Sequence, residues 1–334
     1  MLKRFHKLRK MIYIYFYNMN GNKNFYLKIS LLLIAAFFIW IFGSPKEEFS
    51  ALKAENSPEW QPKTPAALTN FVPPTFVVFK DSENTLPKRN WTVPFLELQA
   101  QAALAIKTDG SRVYYNKNIE TQRSVASLTK LMTAIIVLEN YNLDEVIKIP
   151  LSAVRREGAR GDLRIDESMT VRSLLSIMLI DSSNDAAFAL AEKRADFVLL
   201  MNKKAKELGL VNTHFSNPDG LDEPGNYSSA LDIEKIFSYL INKYPEAFEI
   251  LKTKNMMVYS ADGKTEHRLK NTNELLGKAS EVVAGKTGYT DEAGGSLILL
   301  AENNIITVVL GSPDRFSESE KLIQWLKEAY IWEK

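Results

Sequence analysis

Apolar positions along the chain change period several times, and each change marks an element. Residues 102–116 (AALAIKTDGSRVYYN) alternate loosely on either side of Asp109-Gly110. A DG dipeptide between strand-like runs signals a hairpin, so two strands should open the folded part. Over 127–140, Leu128, Leu131, Met132, Ile135, Ile136 and Leu138 recur at helical spacing with no proline before Pro150, which predicts a buried helix. Helical patterns return at about 170–180, 184–208 and 230–243. Residues 296–300 and 305–310 flank Asn303-Asn304 as a second hairpin. The segment 317–332 places Leu322, Trp325, Leu326, Ala329 and Tyr330 on one helical face, which should pack on a sheet. Strands near both ends with helices between them predict one α/β domain over 95–334, its first and last strands sharing a sheet and its helical middle forming a second lobe.

Ahead of residue 95 the pattern differs. Residues 29–42 (ISLLLIAAFFIWIF) are apolar apart from Ser30, and the 28 residues before them hold seven Lys or Arg and no acid. A basic flank followed by an apolar run reads as an uncleaved signal anchor over 29–44, with 1–28 as a basic cytoplasmic tail and the rest exported. Fourteen residues rise only about 21 Å as a helix, so a cleaved signal peptide is the competing reading. Pro45 behind Gly43-Ser44, and Phe49 ahead of Ser50-Ala51, leave no clean cleavage site. Residues 45–94 hold eight of the thirteen prolines and no sustained period; this is a Pro-rich linker. Its apolar pieces, Phe71-Val72 and Phe76-Val77-Val78-Phe79, are suited to docking on the domain that follows.

With 46% hydrophobic and 25% charged residues the chain has an ordinary globular composition. Beyond residue 28, 35 of the 42 basic residues face all 40 acids, which disfavours a nucleic-acid partner. Zero cysteine removes disulfides, thiol nucleophiles and Cys-ligated zinc or iron–sulfur centres. No cluster of histidines or carboxylates has ligand spacing, so neither a metal nor a cofactor is implied.

Three short motifs carry candidate chemistry. Ser127 in SVASLTKLMTA has Lys130 three residues on. On a helix the two share a face, so the amine reaches the hydroxyl, and the helix start favours a developing oxyanion. Lys130 must be neutral to take a proton, which needs burial or a neighbouring cation. Ser182 and Asn184 follow a buried apolar helix, where Asn offers donor and acceptor and Ser182 is able to relay a proton. Each motif has a plain structural alternative, a helix cap with a solvated Lys for the first and simple N-capping for the second. Decoys at Ser50–Lys53 and Ser82–Asn84 lie among prolines with no buried helix beside them. Lys286-Thr287-Gly288 occurs once; such a strand pairs with an extended substrate and binds its carboxylate, with Gly288 allowing close approach.

The ordered triplet S-x-x-K, S-x-N, K-T-G resembles the signature of penicillin-binding proteins and serine β-lactamases. The surrounding blocks ASLTKLMTA, SSNDAA, NTHFSNPDGLDEPGNYSSA, Asn271 to Asn273 and AGKTGYTDEAGGSLIL are similar to those of the low-molecular-mass D-alanyl-D-alanine carboxypeptidases and endopeptidases of the S11 peptidase family. The resemblance runs from about Ala103 to Phe316. It implies a β-lactamase/transpeptidase-like fold, with an antiparallel sheet flanked by helices plus a helical lobe. It further implies Ser127 as acylated nucleophile, Lys130 as its base, and Ser182 and Asn184 flanking the cleft. Lys286 and Thr287 would hold the substrate carboxylate, with Gly288 beside it, and the N–H groups of Ser127 and Tyr289 would form the oxyanion hole. The expected partners are peptidoglycan stem peptides, with β-lactam antibiotics as inhibitors, and the membrane through the anchor, which would replace the C-terminal tether of many relatives. Ser183 and the GARGDL loop at 158–163 depart from the family pattern and bear on substrate preference.

Rival classes fit less well. A Ser-His-Asp hydrolase has only His214 and His267 to draw on outside the tail. A β-lactamase needs an acid to drive deacylation, and no acidic block matches that role. A non-catalytic wall-binding scaffold would not need all the motif residues.

Overall fold

The computed structural model describes residues 87–158 and 161–332. The anchor at 29–44, the tail before it and the linker as far as residue 86 lie outside the described residues. Among the described residues no helix is long and apolar enough to cross a membrane.

The opening hairpin forms as the DG signal requires: β2 (Ala102–Lys107) and β3 (Val113–Lys117) turn at Gly110, whose φ is 72°. β2 also pairs with the late strand β10 (Ile305–Ser312), with Val308 opposite Leu104. β10 continues to β9 (Gly294–Ala301), and β9 to β8 (Val282–Thr290). The result is a five-stranded antiparallel sheet in the order β3-β2-β10-β9-β8, with β8 at one edge. The β9–β10 connection is made by Asn303 and Asn304 at φ 59° and 56°; short polar Asn tolerates this left-handed region.

Both faces of the sheet are buried, which the alternation explains. Leu104, Ile106, Ile306, Val308 and Leu310 join the core beneath the helical lobe. Ala103, Ala105 and Val309 face Leu322, Trp325, Leu326 and Ala329 of the last helix, Arg315–Ala329. At the centre of the lobe lies α1 (Lys130–Asn140), in which every residue from Lys130 to Val137 is buried; a helix apolar all round belongs in a core. Around it stand α2 (Leu151–Val154), α3 (Val171–Ile180), α4 (Asn184–Glu192), α5 (Phe197–Glu207), α6 (Ala230–Lys243) and α7 (Pro245–Lys252). The last helix is α8.

Several expectations change in detail. The helix foreseen over 184–208 is two, because α4 ends at Glu192 and Arg194 pairs with Asp196 before α5 begins. The helix foreseen from Ser127 starts one turn later, behind a 3-10 turn, Ala126–Thr129. α7 and the hairpin of β6 (Asn255–Tyr259) and β7 (Glu266–Lys270) were not foreseen. The hairpin had a signal of its own in Asp262-Gly263, where Gly263 has φ 73°. The short β4 (Val146–Lys148) and β5 (Ser168–Thr170) pair beside α2.

Packed structure also starts ahead of residue 95. β1 (Lys88–Arg89), inside the span read as linker, pairs with β11 (Tyr330–Ile331), where α8 gives way to a strand. Arg89 donates to the carbonyls of Val93 and Ala329 and lies 5.2 Å from the Trp325 ring centre and 5.7 Å from that of Tyr330. The Trp325 indole donates to Pro94 O at 2.8 Å. A guanidinium on aromatic faces with satisfied donors is worth about 1–2 kcal/mol at a partly desolvated site. A chain starting at residue 95 should therefore melt roughly 5–10 °C below one starting at residue 87, as read by circular dichroism, since a loss of about 2–3 kcal/mol shifts Tm by that order in a domain of this size. Equal melting temperatures would mean that the clasp contributes nothing.

Candidate active site

The site forms where the 3-10 turn, the start of α4, the loop before α6 and the edge strand β8 meet. In a 3-10 turn residues i and i+3 eclipse, and Lys130 Nζ stands 2.9 Å from Ser127 Oγ. The turn is strained, with Ala126 at φ 49°, and two glycines hold it there. A Cβ at Gly220, itself at φ 86°, would meet Ala126 O at 2.0 Å, and one at Gly288 would meet Val125 O at 2.9 Å and Ser127 N at 3.0 Å. Only a residue without a side chain lets either neighbour approach so closely.

Lys130 has no exposed surface. Besides Ser127 it donates to Asn184 Oδ1 at 2.6 Å and to Asp219 O at 2.6 Å. The Asn184 amide is oriented by its own donation to Glu157 O at 2.7 Å, so its oxygen must face the lysine. Two of the three acceptors are therefore carbonyls that cannot donate, and Ser127 is the only partner with a proton to give. Burial brings the Lys130 amine down to about 7; Asp219 and Asp185 oppose the shift and Arg156 assists it. Arg156 pairs with the Asp219 carboxylate at 2.5 Å.

Ser182 follows α3 with φ 62°, a costly conformation for a residue with a side chain. Its Oγ accepts from Lys286 Nζ at 2.7 Å. Lys286 is buried and also donates to Thr287 O at 3.0 Å. Burial holds its amine well below the usual lysine range, with Lys130 and Arg315 adding to the effect. The Thr287 hydroxyl meets that of Thr272 at 2.5 Å. Tyr289 is 61% exposed, at the rim. All eight residues singled out in the sequence thus fall on this one region.

The two departures from the family pattern also lie here. Ser183 caps α4, accepting from Ala186 N at 2.9 Å. Gly161, in the 158–163 loop, donates to both oxygens of the buried Asp185 at 2.9 and 3.0 Å. Sequence reading missed Asp219, Thr272 and Arg315. Arg315 opens α8, where the helix dipole disfavours a cation, and that misplaced charge was a signal. It packs against Gly295, next to Tyr289, and its Nε is buried without a hydrogen-bond partner among the described residues.

The sheet, helical lobe and edge-strand cleft are the α/β fold of the penicillin-binding peptidases. The Streptomyces K15 DD-transpeptidase matches with a TM-score of 0.65 and 32% identity, over 70% of this chain and 98% of that one. The chain belongs to the peptidase S11 family, whose D-alanyl-D-alanine carboxypeptidase model matches residues 88–314. It is 35% identical over 245 residues to the D-alanyl-D-alanine carboxypeptidase DacF of Bacillus subtilis, covering 70% of this chain and 62% of that one. It is 30% identical over 248 residues to a D-alanyl-D-alanine endopeptidase of Pseudomonas aeruginosa, covering 79% of that protein. The chain therefore spans less than two thirds of the length of DacF.

A lysine amine near neutrality is directly observable. In protein labelled with carbon-13 at lysine Cε, one resonance should titrate with a midpoint near pH 7 and vanish in Lys130→Arg. If the resonance lost in that variant titrates above pH 9, the lysine is an ordinary solvated cation.

Proposed function

We propose that the chain is a serine-type D-Ala-D-Ala carboxypeptidase that trims peptidoglycan stem peptides through an acyl-enzyme on Ser127. The observation that carries this reading is the Lys130 amine, buried, lowered to about 7, and held by two carbonyls so that its remaining position meets the Ser127 hydroxyl at 2.9 Å. In the neutral amine the two N–H groups stay on Asn184 Oδ1 and Asp219 O, and the lone pair accepts the serine proton as Oγ attacks the penultimate D-Ala carbonyl. The oxyanion forms against the N–H groups of Ser127 and Tyr289. Collapse breaks the peptide bond, and the leaving D-Ala amine takes a proton through Ser182 Oγ, which Lys286 holds at 2.7 Å. Water then hydrolyses the Ser127 ester.

The terminal carboxylate of the stem is received by Thr287, with the Lys286 amine behind it and the Arg315 guanidinium beside it. Lys286 is committed to Ser182, so its amine serves proton transfer as well as attraction. Arg315, whose Nε is unpaired among the described residues, is the cation for the carboxylate. The same chemistry would split a crosslink, and the likeness to the Pseudomonas aeruginosa endopeptidase keeps that reading beside the first. The apolar run at 29–44 supports attachment to the membrane, with the domain on the outer side.

Benzylpenicillin should add its mass to the tryptic peptide that holds Ser127, and Ser127→Ala should abolish the adduct. A Ser127→Ala protein still labelled elsewhere would reject the nucleophile. Neutral Lys130 is the reactive form, so the acylation rate should rise with pH through about 7 and level off above it. Lys130→Arg should lower acylation by about 10²–10⁴-fold, the usual worth of a positioned base. A pH-independent rate would assign the proton to another group.

Peptides ending in D-Ala-D-Ala, as free acid and as amide, separate the roles of Arg315 and Lys286. Arg315→Gln should cost about tenfold or more on the free acid and little on the amide, since a charge-assisted hydrogen bond is worth about 1.5–3 kcal/mol. Lys286→Ala should impair both. Equal losses with Arg315→Gln would remove it from carboxylate binding. Mass analysis of purified muropeptides decides the reaction: released D-Ala supports the carboxypeptidase, and split dimers without D-Ala release support the endopeptidase.

A further inference from the structure

The lysine that takes the serine proton has an awkward neighbour. Asp219 has no exposed side-chain surface, and its carbonyl accepts from Lys130 Nζ at 2.6 Å. A carboxylate turned toward a buried amine pairs with it and holds it charged, the state that cannot accept the Ser127 proton. Instead the Asp219 carboxylate faces Arg156, whose Nε donates to Oδ2 at 2.5 Å and whose Nη2 donates to Oδ1 at 3.3 Å. Leu221 N reaches the same Oδ1 at 3.3 Å.

Arg156 stands two residues beyond α2, outside all three motifs. Its guanidinium lies 4.8 Å from the centre of the Phe188 ring on α4. The next residue, Glu157, supplies the carbonyl that orients Asn184. This dipeptide thus addresses both carbonyl acceptors of Lys130, one through the Asp219 side chain and the other through the Asn184 amide. The remaining charges near the amine are already engaged. Asp185 of α4 accepts from Gly161 N and from the Ser183 hydroxyl, and Lys286 of β8 donates to Ser182. Asp219 and Asp185 favour the Lys130 ammonium and Arg156 opposes it, while Glu223 and Glu157 act on Arg156.

We propose that Arg156 is a positioning residue for the base: by claiming the Asp219 carboxylate it leaves Lys130 only the Asp219 carbonyl. A carbonyl accepts from an ammonium and from a neutral amine alike, whereas a carboxylate would favour the first. The inference rests on the reading of Lys130 as the base and adds what allows it to be neutral. Loss of the guanidinium leaves the carboxylate uncompensated, which favours the ammonium and moves its titration to higher pH. Loss of the carboxylate moves it to lower pH.

The Lys130 resonance of the full chain labelled with carbon-13 at lysine Cε reads this without catalysis. Arg156→Gln should raise its midpoint from about 7 by about one pH unit and Asp219→Asn should lower it similarly, the order expected of one neighbouring charge. The double variant should fall between the singles, and Arg156→Lys, which keeps the charge, should move the midpoint less than Arg156→Gln. Acylation by benzylpenicillin should follow, with Arg156→Gln about tenfold slower than the parent near pH 6 and equal to it above about pH 9, as a one-unit shift requires. Removing one partner of a buried pair costs stability. Should Arg156→Gln not fold, the same rise is expected between Asp219→Asn and the double variant, and no rise there overturns the inference. It is also overturned by an unmoved midpoint in a folded Arg156→Gln, the result of a pair that only stabilises the fold, or by single variants that shift in the same direction. Resonances that shift as expected beside acylation rates that ignore pH would reject Lys130 as the base and leave the control of its charge by Arg156 standing.

Discussion

Everything at the site depends on placing a lysine amine in the core of the helical lobe. An ammonium carried out of water without partners is costly enough that the group neutralises instead. Here the amine is met by acceptors from three separate segments: the 3-10 turn, the first residue of α4 and the loop before α6. Each acceptor has its own support. Asn184 is oriented by Glu157 O, Pro218 O next to Asp219 accepts from Thr133, and the turn that carries Ser127 is held by the close approach of Gly220 to Ala126 and of Gly288 to Ser127 N. The fold can be read as the scaffolding that brings those acceptors to one point, because none of them is near Lys130 in sequence except Ser127.

Two lysines share the cleft, and Lys130 makes the charge on Lys286 less favourable. Their acceptors keep them apart in function. Lys130 faces a hydroxyl on the nucleophile turn, and Lys286 a hydroxyl on the segment between α3 and α4. Ser182 holds its position at φ 62° because the segment is tied at both ends, by the cap of α4 and by the donation of Thr272 N to Ile180 O. Strain of this kind persists only where the surroundings over-determine the backbone.

How much was legible followed the physical range of each signal. Periodicity located α1, α3, α6 and the two hairpins of the sheet, because each is set by which face of a local segment is buried. The motif residues were legible because their identities are tied to their chemistry. The break between α4 and α5 was not, since the apolar period runs on across Lys193 to Asp196 and only a polar stretch marks the turn. Nor could local pattern show that Asp219 supplies its backbone oxygen rather than its side chain to Lys130, or that Thr272 touches Thr287. Those contacts join residues far apart in the chain. Arg89 and β1 were hidden by the prolines around them, which read as linker although the carbonyl of one, Pro94, serves the clasp.

The clasp gives the domain a mechanical polarity. β1 and β11 join near β3, where the Tyr330 hydroxyl donates to Tyr114 O, and the cleft lies along β8 at the far edge of the same sheet. Four strand spacings of about 4.8 Å separate those edges. Tension entering the domain ahead of Pro87 is met first by two short strands and a guanidinium among aromatic rings. It would shear that pairing before it reached the hydrogen-bond ladder that carries Lys286 and Thr287. A load arriving from the N-terminal side thus meets that clasp first, at the edge of the sheet opposite β8.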